Sequence, residues 1–122
     1  MRLLLDECVP ARLRRVLPSH EVSTAVAEGW SGIKNGKLLA LAAQRFDAFI
    51  TEDKNLPYQQ NTAALAVAVF VLDAVSNELP SLLPLLPALE NESGKLVKGS
   101  FVLIGSDASP SREQYRAHAR NC

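Results

Sequence analysis

Cysteine, net charge and long apolar runs are what this chain has little of, and each shortage removes a class of function. Its two cysteines, Cys8 and Cys122, do not make a disulfide framework, and no histidine or cysteine cluster has the spacing of a zinc site. A reduced, cytoplasmic setting is expected. Thirteen basic residues balance thirteen acidic ones. The overall basic character of a non-specific nucleic-acid binder is therefore missing, and only a local patch stays open. No apolar stretch nears the roughly 20 residues that a membrane-spanning helix needs. The first residues run straight into a strand-like segment, without the basic, apolar and cleavage regions of a secretory leader. Neither membrane insertion nor export is expected.

What is present is core material. Hydrophobic residues make up 48% of the 122 positions, enough for one compact domain and too many for a disordered chain. Leu3-Leu4-Leu5 reads as a strand buried on both faces. Pro10 can open a short helix whose Leu13, Val16 and Leu17 share a face, and Pro18 ends it. Val22, Thr24 and Val26 alternate, which predicts a second strand from His20 to Val26. Gly29-Trp30-Ser31-Gly32 is a loop. Asn35 is the expected N-cap of a helix reaching Phe46, with an apolar stripe of Leu38, Leu41, Ala42 and Phe46.

A third strand is expected over Asp47–Thr51 and a fourth over Leu65–Leu72, separated by a polar loop. The leucine-rich stretch after Ser76-Asn77-Glu78 holds Pro80, Pro84 and Pro87. A proline inside a helix costs about 3 kcal/mol, so short helices restarting near Pro84 or Pro87 are predicted. Phe101–Ile104 is the last strand. Alternating strands and helices predict an α/β/α fold with a mostly parallel sheet of four or five strands. Residues 1–104 form this domain, and 105–122 form a polar extension whose residues 111–120 have the makings of a short helix.

Three apolar runs stop at carboxylates: Leu5 at Asp6-Glu7, Ile50 at Thr51-Glu52-Asp53, and Leu72 at Asp73. Ligands of open parallel sheets bind beyond the carboxyl ends of the strands, so such acids can converge though distant in sequence. Asp6 and Asp53 are the expected catalytic and metal-binding pair, suited to Mg²⁺, the alternative being that each simply caps the turn after its strand. Mg²⁺ takes oxygen ligands and needs only one or two carboxylates. Two close carboxylates without a cation would repel.

Glu7 is a third candidate for both roles if the chain turns at Cys8; in a continuing strand it would face away from Asp6. Thr51, two residues before Asp53, either supplies a hydroxyl to the site or is simply a buried strand residue. Lys54 and Asn55, with Tyr58, Gln59 and Gln60, either contact substrate or form a solvated loop. Asp73 reads as a cap of the following turn, and Asp47 as a structural acid at the opposite edge. Trp30 is either a stacking ring or the anchor of its loop. His20 reads as fixing a turn, and Cys8 either as a small buried thiol or as a reactive one beside the site.

The segments Leu3-Leu4-Leu5-Asp6-Glu7, Gly29-Trp30-Ser31-Gly32, Asn35-Gly36-Lys37-Leu38-Leu39, Phe46-Asp47, Thr51-Glu52-Asp53-Lys54-Asn55-Leu56 and Tyr58-Gln59-Gln60-Asn61, in this order and spacing, resemble the small PIN-like proteins of the DUF5615 type over about residues 1–89. The resemblance implies a PIN-like α/β/α fold. It also implies Mg²⁺- or Mn²⁺-dependent cleavage of RNA by strand-end acids, and for many members the toxin half of a bacterial toxin–antitoxin pair. It matches Asp6 to the acid of the first strand, and Asp53 with Thr51 to that of the later strand end. The chain departs from PIN domains in one respect: the helix from Asn35 to Phe46 carries no acid, and Glu28 in the preceding loop is the nearest substitute.

Two other readings stay open. In one, the domain is a PIN-like module that binds a partner without catalysis. In the other, it is similar to a response-regulator receiver. Asp53-Lys54-Asn55-Leu56-Pro57 would then hold the phosphoacceptor, with Asp6-Glu7 binding Mg²⁺. Against the receiver, Ile104 is followed by Gly105-Ser106-Asp107 rather than a lysine. The expected partners are an RNA substrate, an antitoxin protein and a second copy of the chain, the last through the apolar 79–89 region.

Overall fold

The computed structural model describes residues 1–54 and 67–105. The second half of the polar loop and the extension beyond Gly105, with the expectations placed on Asn55, Tyr58, Gln59, Gln60, Cys122 and residues 111–120, lie outside them.

Five strands form one wholly parallel sheet: β1 (Arg2–Leu5), β2 (Glu21–Thr24), β3 (Ala48–Thr51), β4 (Ala68–Asp73) and β5 (Phe101–Gly105). Their order is β2-β1-β3-β4-β5, so the strands leaving β1 in sequence fall on either side of it. Leu3 pairs with Val22 on one side and Ala48 on the other, and Phe49 pairs with Val69. A short 3-10 helix covers Ala11–Val16, and α1 covers Asn35–Arg45. Strand β2 is shorter than its alternation predicts, because the chain turns after Thr24 and leaves Val26 exposed.

The period of two along each strand divides the core between the two faces. Leu3, Leu5, Ile50, Phe70, Leu72, Val102 and Ile104 pack on one face against Leu13 and Leu17 and against Leu82, Leu85 and Leu89. Leu4, Phe49, Val69 and Val71 pack on the other against Leu38, Leu39, Ala42 and Phe46. The helix α1 begins at Asn35 with Lys34 at its N-cap position and no side-chain cap, so the cap expected at Asn35 is not the one used. A missing cap costs about 0.5–2 kcal/mol. Burying Leu38 and Leu39 returns about 1.5–3 kcal/mol each. Packing decides the outcome.

The proline-rich stretch is broken as its sequence predicts. It forms α2 (Leu79–Leu82), a 3-10 turn (Leu83–Leu85) and α3 (Leu86–Ser93), each with a proline at its first or second position. There proline removes no helical hydrogen bond. These helices share a face with the Ala11–Val16 helix, not with α1. The β2-to-β3 and β4-to-β5 connections thus move the same way across the sheet over opposite faces, and so have opposite hands. Crossovers between parallel strands are right-handed in about 98% of cases. The first two connections share one hand, which makes the 27-residue β4-to-β5 link the exceptional one.

Candidate active site at the carboxyl end of the sheet

The order β2-β1-β3 places a topological switch point between β1 and β3, because the chain leaves β1 toward one edge and continues from β3 toward the other. Crevices for ligands form at such points, outside the strands' carboxyl ends. The Asp6 N–H extends the ladder by one bond, donating to the Ile50 carbonyl at 2.9 Å. Alternation then sets Asp6 and Thr51 on the same face, and their side chains meet: the Thr51 hydroxyl donates to Asp6 Oδ2 at 2.7 Å.

Thr51 is fully buried, and its oxygen also accepts the Asp53 N–H at 3.1 Å. One hydroxyl thus links the two acids picked out at the ends of β1 and β3. Asp6 is held further by the Glu7 N–H on Oδ1 at 2.8 Å and by the Cys8 thiol on Oδ2 at 3.6 Å. Among the described residues, every group that meets the Asp6 carboxylate is uncharged. These contacts orient the carboxylate without an ion pair.

Glu7 turns elsewhere. Its Oε1 accepts the Gly32 N–H at 2.6 Å, tying the β1 turn to the loop before α1. Lys54 reaches over to β4 and pairs with Asp73, Nζ to Oδ1 at 2.6 Å. Asp73 is thus engaged in an ion pair, and further on the Ser76 hydroxyl accepts the Glu78 N–H at 3.2 Å. Trp30 anchors its loop: the half-buried ring meets Phe46 edge-on, with centroids 6.2 Å apart. Among the described residues, no three His, Cys, Asp or Glu side chains are gathered closely enough to hold a metal ion. The Asp6 carboxylate and the Thr51 hydroxyl nonetheless offer hard oxygens of the type Mg²⁺ takes, beside the softer Cys8 sulfur, and one or two carboxylates suffice.

Glu52 went unassigned in the sequence, and Cys8, expected as a small buried thiol or a reactive one, is an exposed residue. Glu52 has a buried Oε2 without a hydrogen-bond partner, and desolvation pushes its pKa up. Cys8 is solvent-exposed as a residue, but its sulfur lies 3.7 Å from the Thr51 hydroxyl. Partial burial, reinforced by the Asp6 charge, raises its pKa against the opposing Glu52 N–H and Thr51 hydroxyl. The thiol stays protonated at neutral pH and is a poor nucleophile. Only the alternation past Thr51 hinted at Glu52.

The remaining acids serve the amino end. Asp47 accepts the Arg2 N–H at 2.8 Å, as its position at that edge suggests. Glu28 does not join Asp6. It pairs with Arg45 at 2.6 Å and accepts the Ser23 hydroxyl at 2.7 Å. Glu28 and Arg45 line a cavity of about 130 Å³ with Arg2, Glu21 and Phe46. Arg2 and Glu21, 3.7 Å apart, also pair there, so the cavity's charges are matched internally. His20 reaches Glu90 of α3 rather than only closing a turn.

No helix among the described residues is long and apolar enough to cross a membrane. No family model matches the chain, and no curated protein or solved structure is detectably similar to it.

Proposed function

We propose that this protein is a metal-dependent endoribonuclease of the PIN-like class, serving as the toxin of a toxin–antitoxin pair. The observation that carries the reading is the Thr51 hydroxyl, which joins Asp6 and the backbone of Asp53 at the β1/β3 switch point. Asp6 and Asp53 would hold Mg²⁺ or Mn²⁺. A cation there supplies positive charge to the phosphodiester and lowers the pKa of the attacking water. Thr51, Cys8 and the Glu7 N–H fix the Asp6 carboxylate, so little reorganisation is needed when a cation and an anionic substrate arrive.

The test is cleavage of single-stranded RNA with and without Mn²⁺. The wild-type chain cleaves only with the cation, and Asp6→Asn does not cleave. Equal cleavage by purified Asp6→Asn would refute the assignment.

The commitment of Glu7 to Gly32 and Lys54 to Asp73 favours a second reading, a PIN-like binding module without catalysis. That reading predicts no cleavage by the wild-type chain but stable association with a small partner protein.

A further inference from the structure

We propose that Glu7 is a positioning residue, which locks the Asp6 carboxylate and the Gly29–Gly32 loop into one arrangement and is not itself a cation ligand. This rests on the ribonuclease reading for its purpose but on separate contacts for its geometry. Glu7 acts in two directions. Its backbone N–H holds Asp6 Oδ1 at 2.8 Å, and its side chain holds the Gly32 N–H at 2.6 Å, across 25 residues of sequence. A hydrogen bond to an ionised acceptor is shorter and roughly twice as strong as a neutral one.

The loop is shaped for this contact. Gly29 and Gly32 have φ of 79° and 77°, a region that other residues adopt only with strain. Its inner side is fixed by Trp30, whose N–H donates to the Ala25 carbonyl at 2.8 Å and whose ring packs on Phe46. Glu7 supplies the fixing on the outer side. Without it the turn after β1 loses its tether, and Asp6 loses a donor held in place.

Trp30 is the sole tryptophan, so intrinsic fluorescence reports the loop directly. The experiment compares wild type, Glu7→Gln and Glu7→Ala as full-length chains, reading Trp30 emission, acrylamide quenching and Mn²⁺ affinity. Gln keeps an amide oxygen that accepts the Gly32 N–H, so Glu7→Gln retains wild-type emission, quenching and Mn²⁺ binding. Glu7→Ala shifts emission to the red and raises quenching. It also weakens Mn²⁺ binding by about 10- to 100-fold, as loss of an outer-shell support does.

The proposal is overturned if Glu7→Gln loses Mn²⁺ binding while its fluorescence stays wild type, which would make Glu7 a ligand. It is overturned equally if Glu7→Ala leaves fluorescence and quenching unchanged. Should the wild type bind no Mn²⁺, the ribonuclease reading fails, and the fluorescence comparison still decides the latch.

Discussion

Three carboxylates near the amino end of the sheet and Asp6 at its carboxyl end are held in different ways. At the amino end, Glu21 faces Arg2, Glu28 faces Arg45 and Glu90 faces His20. Each of these three acids meets a cation or a group able to become one, and each contact joins elements of the fold, whereas Asp47 at the same end accepts the Arg2 backbone N–H. At the carboxyl end, Asp73 is paired with Lys54 in the same manner, whereas Asp6 meets a hydroxyl, a thiol and a backbone N–H. Among the described residues, Asp6 is held by neutral donors alone. The contrast separates an ion-paired acid, Asp73, from one met by uncharged groups, Asp6, although the two look alike in sequence.

The largest test of this contrast is Asp6→Asn. Asparagine keeps the size and an acceptor oxygen, so the melting temperature stays near wild type. Cation-dependent RNA cleavage falls by about 100- to 1,000-fold, the scale of losing one positioned electrostatic group. A variant that unfolds instead would assign Asp6 to the structural class.

Glu90→Ala probes the opposite end. It leaves the partly buried His20 ring, whose Nδ1 has no partner among the described residues, without its Nε2 partner as well. The expected cost is about 1–3 kcal/mol, read by urea unfolding, with cleavage per folded molecule unchanged.

Glu52→Gln gives a smaller effect with a definite sign. The folded-state pKa of Glu52 is raised, so its contribution to stability is complete below the unfolded glutamate value and is lost as pH rises through the folded one. The glutamine variant is therefore more stable than wild type at pH 7, and the difference closes in acid below the unfolded value. Denaturant melts at both pH values measure it.

Lys54→Ala removes an ion pair whose lysine side chain is 57% exposed. It shifts stability by about 0.2–1 kcal/mol at most, and less in high salt.

Much of the architecture could be read before any coordinates. The apolar runs at Leu3–Leu5, Ala48–Ile50 and Val69–Leu72 are buried on both sides, which only a central parallel strand requires. The prolines at 80, 84 and 87 break their helix as their missing N–H groups dictate. Less legible were the ends of elements. The N-cap of α1 and the early end of β2 were settled by burial of Leu38, Leu39 and Ala25, which outweighs local capping and alternation.

Partner choice was the least visible feature. Glu7 to Gly32, Lys54 to Asp73 and His20 to Glu90 join residues 19 to 70 positions apart, and nothing in local sequence ranks one such encounter above another.

The sequence by itself determined that this is an α/β domain with acids at its strand ends, because hydrophobic periodicity and proline act locally along the chain. Only the tertiary structure decided which acid is ion-paired and which meets neutral donors. It also decided that the C-terminal helices take the face of the Ala11–Val16 helix rather than that of α1. Both outcomes depend on which strands become neighbours. The β2-β1-β3 order sets Asp6 beside Thr51, and without that adjacency no hydroxyl would stand between Asp6 and Asp53.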